Sequence, residues 1–341
     1  MLLSQTAKFL GILLLSLFFT ASLLVPFINF LYFLKFKNPK TESKDFLGRK
    51  SLFNELHGWK VGTPTGGGIL IIISTFLFSL IFYGITNFEF NWTSNIIFIA
   101  LFSFGLLGLY DDLRKFFKFG NQGFFGLRAR YKFLIQWLLG FTIGYFLYSK
   151  MGLGSVYIPI LRQSLEMGIY YIPFAAFIIV AASNAFNITD GMDGLAGGLL
   201  LITLIAFWYL ASLSPFSGDI IIFIVVLLGS ILAFLYFNIF PARIYMGDTG
   251  ALAFGAMLGV VALMMNQAIA FIFIGGLFFT EAASSLIQLA SMKYRNGKKV
   301  FKIAPLHHHL EALGWPETKV TMRFWLFGIA LAIFGTFFAL I

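Results

Sequence analysis

Long apolar runs, each about twenty residues, alternate with short polar segments along almost the whole chain. Ten such runs can be placed, at about 8–34, 66–86, 94–110, 133–149, 172–187, 194–212, 219–239, 250–266, 268–291 and 322–341. A helix of that length crosses the roughly 30 Å hydrocarbon layer of a bilayer. The runs are continuous and do not alternate, which excludes a β-barrel. The eighth and ninth runs are separated by little more than Asn266-Gln267. The first run is too long for the apolar region of a cleaved signal and is followed by no clear cleavage site, so it reads as a transmembrane helix. Two other stretches read as interfacial. Residues 42–58 mix Phe46, Leu47, Leu52, Phe53 and Leu56 with Lys44, Arg49 and Lys50, as a helix lying on an anionic leaflet does. Residues 155–170 suggest a similar element on the opposite side.

The polar segments fall into two alternating sets. One comprises 35–65, 111–132, 188–193, 240–249 and 292–321; the other comprises 87–93, 150–171, 213–218 and 266–267. Only Lys8, Lys150 and Arg162 belong to the second side, so 21 of the 24 Lys and Arg residues lie on the first. The positive-inside rule makes the first set cytoplasmic, and an even number of spans then puts both termini outside. Composition agrees: 59% of the 341 residues are hydrophobic and 11% are charged. A soluble domain is about a quarter charged. The net charge of +10 does not indicate nucleic acid, because the basic residues follow membrane topology. The absence of cysteine excludes thiol and disulfide chemistry. The fold class expected is an all-α polytopic membrane protein, a single integral domain over 1–341 with no linker and no internal repeat.

Four polar clusters lie at the cytoplasmic ends of spans. Asp111-Asp112 closes the third. It is either a solvated helix-end pair balanced by Lys115 at i+4 or, because adjacent acids repel without a nearby cation, a metal or phosphate site. Asn187, Asp190 and Asp193 have helical or tight-turn spacing beside Gly191 and Gly194, which suits either a capped turn or side chains converging on a ligand. Asp248, in Met246-Gly247-Asp248-Thr249-Gly250, is either an N-cap or part of a phosphate site at a helix start, with Asn238 just upstream. His307, His308 and His309 cannot all point one way on a helix; they form either a solvated turn or a set in which one or two bind phosphate or metal while another packs. Lys60 and the glycine-rich segment leading to Gly68 lie on the same face, as a turn or as a lysine with free backbone amides. Oxygen ligands, lysines and glycine-rich backbone together suit Mg²⁺ and a diphosphate better than a transition metal.

With these motifs in view, the chain resembles the polyprenyl-phosphate N-acetylhexosamine-1-phosphate transferases over essentially its whole length. The residues that carry the resemblance are KxGTPTxGG from Lys60, DDxxK from Asp111, NxTDGxDGLAxG from Asn187, MGDTG from Met246 and PLHHHxE from Pro305. The last favours the muramoyl-pentapeptide branch. Gly66, Ala251 and Leu310 depart from commoner family residues. Tyr245 stands where the family often has a uracil-stacking phenylalanine, and a tyrosine ring also stacks.

The resemblance implies transfer of phospho-MurNAc-pentapeptide from UDP-MurNAc-pentapeptide to undecaprenyl phosphate in a bacterial inner membrane, giving UMP and lipid I. It implies Mg²⁺ as cofactor and a homodimer. Asp248 would be the principal metal ligand, with Asp111 and Asp112 close by. Asp111 would position or deprotonate the lipid phosphate and Lys115 would steady phosphate charge. Lys60, Thr65, Asn187, Asp190, Gly191, Met192, Asp193, Asn238 and Tyr245 would line the nucleoside and diphosphate pocket. Gln288 and His307, His308 and His309 would contact the sugar-phosphate part or support the site. Direct attack by the lipid phosphate is expected over a covalent phospho-aspartate, since phosphoryl transfer works by positioning and charge neutralisation. The rival readings are a sister transferase using UDP-N-acetylglucosamine, and a lipid-linked transporter. Glu281, midway along the ninth span, is the one residue that suits the transporter, although it can equally pair within the bundle.

Overall fold

A computed structural model describes residues 2–34, 36, 62–86, 91–117, 129–214 and 217–341. Lys60 and the amphipathic stretch 42–58 lie outside the described residues. Helices occur at all ten expected places: α1 (Leu2–Phe33), α2 (Gly67–Thr86), α3 (Trp92–Phe117), α4 (Ala129–Met151), α5 (Tyr171–Thr189), α6 (Leu195–Ala211), α7 (Ser217–Asn238), α8 (Gly247–Met264), the pair α9 (Ala268–Ile274) and α10 (Gly276–Tyr294), and finally α12 (Glu317–Leu340). A short helix, α11 (Leu306–Ala312), carries the histidines. Among the described residues, seven helices are long and apolar enough to cross a membrane, eight if α9 and α10 count as one span. α6 is apolar but shorter. The protein is an all-α, multi-pass membrane protein.

Two expectations are corrected. The ninth run is not one straight span, because α9 and α10 meet at an 80° bend. Gly275 forms the break, and a Cβ there would come within 2.7 Å of the Phe271 ring. Periodicity cannot distinguish a bent run from a straight one. The stretch 155–170 is not an interfacial α-helix. It forms an antiparallel hairpin, β1 (Ser155–Ile158) with β2 (Gln163–Glu166), in which Ser155 pairs with Glu166. Asn266 accepts a hydrogen bond from the Tyr157 N–H at 2.9 Å, so the tight α8–α9 turn lies against this hairpin.

α8 is the pillar of the bundle. Every residue from Thr249 to Met264 is buried, with α3, α5 and α2 packed around it. Its small residues permit this, as in membrane helix pairs generally. The opposite condition holds on α1 and α12, where Phe18, Leu326, Phe327 and Phe337 are exposed. Rings without partners on an outer surface fit a bilayer better than water. α1 docks on α7 through a buried hydroxyl knot: the Ser16 hydroxyl donates to the Val226 carbonyl at 2.7 Å, and Ser230 lies 3.1 Å from the Ser16 hydroxyl and 3.0 Å from that of Thr20.

Candidate active site

The glycine-rich segment before α2 and the segment before α8 run side by side. Thr65 bridges to Tyr245. The Gly66 and Gly67 N–H groups donate to the Tyr245 carbonyl at 3.1 and 2.8 Å, and the Gly68 N–H donates to the Met246 carbonyl at 2.9 Å. A Cβ at Gly68 would meet the Gly250 backbone at 2.3 Å, so glycine is required for the two helix starts to approach this closely. Two motifs some 180 residues apart are thereby joined.

α3 delivers Asp111 and Asp112 to the start of α8. The approach again depends on a missing side chain, since a Cβ at Gly108, one turn earlier, would lie 2.2 Å from the Asp248 carbonyl oxygen. Asp112 is buried and caps α8 from outside. Its carboxylate accepts from the Asp248 N–H at 3.2 Å, the Thr249 N–H at 3.0 Å and the Thr249 hydroxyl at 2.9 Å. Those are donors a helix start leaves unpaired. Asp248 is therefore not its own helix's cap; its side chain is left for chemistry.

Asp111 and Asp248 share two ammonium groups. Lys115 reaches Asp248 at 2.8 Å and Asp111 at 3.2 Å. Lys132 reaches them at 2.7 and 2.9 Å. Two carboxylates and two ammoniums thus converge where the end of α3 meets the starts of α4 and α8. Among the described residues, no three His, Cys, Asp or Glu side chains form a metal cage. The donor set nevertheless suits a hard cation: Asp111 Oδ2 and Asp248 Oδ2 face the same two positive charges. Mg²⁺ typically binds through one or two carboxylates, with waters and substrate phosphates completing its shell. Asp111 and Asp248 are the residues that fit this role, while the oxygens of Asp112 are engaged in capping.

Other expected residues brace the segment that leads into α8. Asn238 is a strut: its amide donates to the Ile244 carbonyl at 3.0 Å and its carbonyl oxygen accepts from the Gly194 N–H at 3.2 Å. Asp193 is buried; it accepts from the Ala242 N–H at 2.8 Å, and its own N–H donates to Glu317 at 2.7 Å. These two residues tie the Asn187–Gly194 turn to the segment before α8. Asn187, Asp190, Gly191 and Tyr245 are half-buried at the rim. Burial pushes the Tyr245 phenol well above its usual pKa, and the nearby Asp193 carboxylate adds to this, keeping the ring neutral. The Met192 side chain is instead packed into the apolar core.

The three histidines divide as helical geometry requires. His307 Nδ1 lies 3.0 Å from Glu281, and His308 Nδ1 lies 2.8 Å from Glu311. Both rings approach Gly191. His309 turns away, accepting from the Lys302 N–H at 3.2 Å and packing on Phe301. Gln288 faces the same loop; it accepts from the Val300 and Phe301 N–H groups and donates to the Phe301 carbonyl, each at 3.0 Å. His309 and Gln288 thus shape the loop over 298–302 and do not join the acidic cluster. Glu281 pairs within the bundle, and the feature that suited a transporter disappears.

The sequence reading missed Lys132 and Glu317, and took Glu311 only as the last residue of the histidine motif, with no role of its own. Lys132 stands in a basic run at the head of the fourth span, where the positive-inside rule accounts for it as topology. Its two ion pairs and its small exposure, 16%, separate it from a solvated lysine, and both appear only in the folded structure.

The chain matches the model of glycosyl transferase family 4 over residues 94–266, a span that includes both acidic motifs and the Asn187–Gly194 turn. It is similar to a phospho-N-acetylmuramoyl-pentapeptide-transferase of Desulforapulum autotrophicum, 43% identical over 298 residues, covering 82% of this chain and 80% of the relative. A protein of the same name from Borreliella afzelii is 42% identical over 292 residues, covering 80% and 81%. One from Thermodesulfovibrio yellowstonii is 40% identical over 295 residues, covering 81% and 80%.

Proposed function

The chain belongs to the phospho-N-acetylmuramoyl-pentapeptide transferases, a branch of glycosyl transferase family 4, and from that membership we propose how its residues perform the transfer. The reaction passes phospho-MurNAc-pentapeptide from its UDP carrier to a polyprenyl phosphate in peptidoglycan synthesis. We take the acceptor to be undecaprenyl phosphate, the compartment to be the bacterial inner membrane with both termini outside, and the assembly to be a homodimer of single-domain subunits.

In direct attack, an oxygen of the lipid phosphate bonds to the sugar-bearing phosphorus of the donor. The bond from that phosphorus to the bridging oxygen breaks, and UMP leaves with the electron pair. One phosphoanhydride replaces another, so the enzyme's task is to align two anions and offset their repulsion. Lys115 and Lys132 supply positive charge to the phosphoryl oxygens. Asp111 positions the lipid phosphate or takes its proton. Mg²⁺, held by Asp248 and Asp111, would supply further charge neutralisation to the diphosphate. Asp112 fixes the start of α8 and with it the direction of the Asp248 side chain. Tyr245 offers a neutral ring to the uracil, and Asn187, Asp190, Gly191, Thr65 and Lys60 complete the nucleotide pocket.

The observation that carries this reading is the pair of lysines shared between Asp111 and Asp248, four contacts of 2.7–3.2 Å. An arriving phosphate competes for those ammoniums and frees carboxylate oxygens for a cation. The test is Mg²⁺-dependent UMP release by purified protein given undecaprenyl phosphate and either UDP-MurNAc-pentapeptide or UDP-N-acetylglucosamine, with Asp248→Ala alongside. Release with the muramoyl donor alone, abolished by the substitution, is expected. Release with the other sugar alone would move the chain to the sister branch, and release with neither from folded protein would overturn the proposal.

A further inference from the structure

Glu281 and His307 are both completely buried. One glutamate oxygen, Oε2, faces His307 twice, at 3.0 Å from Nδ1 and 3.4 Å from the backbone N–H. The other oxygen, Oε1, and His307 Nε2 have no hydrogen-bond partner among the described residues. Ser284 secures the arrangement: its hydroxyl donates to the Glu281 carbonyl at 2.7 Å and accepts from the Leu306 N–H at 3.0 Å.

An isolated buried negative charge is far more costly than a paired one, which favours a net-neutral Glu281–His307 pair. With the proton on the Oε2–Nδ1 contact, either the carboxylate faces an imidazolium or a protonated carboxyl donates to Nδ1 of a neutral ring, and in both Nε2 carries a hydrogen. The other neutral arrangement puts the carboxyl proton on Oε1 opposite an Nδ1–H ring and leaves Nε2 bare. With the proton on the contact, His307 Nε2 is a hydrogen-bond donor with no acceptor among the described residues.

That donor points at Gly191. A Cβ there would stand 2.5 Å from His307 Nε2 and 3.2 Å from His308 Nε2. Glycine leaves this face of both rings without a side chain. The rings are 4.2 Å apart, and Glu311 orients His308 through Nδ1 just as Glu281 orients His307.

We propose that Glu281 is a positioning residue that holds His307 as an Nε2–H donor at Gly191 for an oxyanion of the substrate. This rests on the reading of the donor as a uridine diphosphate sugar. The oxyanion is then a phosphoryl oxygen of its diphosphate. Glu281 touches no substrate and acts through the proton it fixes on His307.

The test uses the full chain in detergent or nanodiscs, labelled with ¹⁵N-histidine; only four histidines are present. Nε2 of His307 is expected to be protonated and to shift on addition of UDP or inorganic pyrophosphate. Glu281→Gln is expected to weaken UDP binding by about ten- to a hundredfold, the range for a charge-assisted hydrogen bond, while uridine binds as in the parent. An unprotonated Nε2 in the parent protein overturns the proposal without any variant. So does a folded Glu281→Gln protein that binds UDP like the parent, or one that loses UDP and uridine in equal measure. A parent that binds neither nucleotide refutes the donor reading instead. Pyrophosphate then decides the clamp: a His307 shift in the parent that the variant lacks supports it, and no shift overturns it.

Discussion

Two polar clusters, one buried and one partly open, sit in this bundle, and they differ in whether they are complete. In the knot of Ser16, Thr20 and Ser230 between α1 and α7, neutral hydroxyls satisfy one another and a backbone carbonyl. No charge is buried and the polar groups meet their needs locally. In the cluster of Asp111, Asp112, Asp248, Lys115 and Lys132, the charges also meet, but each ammonium is divided between two carboxylates. Full charges near hydrocarbon are expensive and are retained at functional sites. The first cluster fastens helices; the second holds charge ready for partners that carry phosphate.

The comparison breaks most readily at Lys132. Lys132→Ala leaves Asp111 and Asp248 sharing Lys115 alone. UMP release should fall by about 10²–10³-fold, the usual loss when one preorganised group stabilising transition-state charge is removed. Lys132→Arg should recover part of it. An alanine variant that turns over like the parent would show Lys132 to be a topology residue only.

A smaller effect, and on both stability and activity, is expected at Gly108. Alanine there must push α3 away from the Asp248 carbonyl, which a Cβ would meet at 2.2 Å. Overpacking of this kind costs about 1–3 kcal/mol and moves Asp111 and Asp112 relative to α8. A thermal melt and a kcat measurement on Gly108→Ala should both fall; a lowered melt with unchanged kcat would separate packing from alignment.

The smallest effect belongs to the hydroxyl knot. Ser230→Ala removes the contacts to Ser16 and Thr20, while Ser16 keeps the Val226 carbonyl. Interhelical hydrogen bonds in membranes are worth about 0.6 kcal/mol each, so detergent unfolding should shift slightly and turnover not at all. A loss of turnover at unchanged stability would refute the division between the two clusters.

Much of the architecture was legible because a bilayer imposes it. An apolar run of fixed length must be a helix there, since every backbone group has to be satisfied internally, and all ten runs carry helices. What the runs could not disclose was direction: the 80° turn at Gly275 leaves hydropathy unchanged. The hairpin over 155–166 likewise hid behind apolar residues that also suit an interfacial helix.

The candidate site divides the same way. Asp111, Asp112, Asp248, Lys115 and the histidines were visible in the sequence because acids and histidines at the ends of apolar runs need a reason to be there. Their separate tasks were not. Asp111 and Asp112 are neighbours in sequence, yet one meets two lysines and the other caps a helix that begins 135 residues later. The three histidines are consecutive, yet helical rotation sends two toward Gly191 and one toward the loop over 298–302. Lys132 looked like topology and Glu281 like an anomaly. Chain pattern determines which residues reach the membrane surface, because burial free energy is summed over whole helices. Which side chain meets which charge is decided by close helix approaches at Gly68 and Gly108, and those exist only once the bundle has packed.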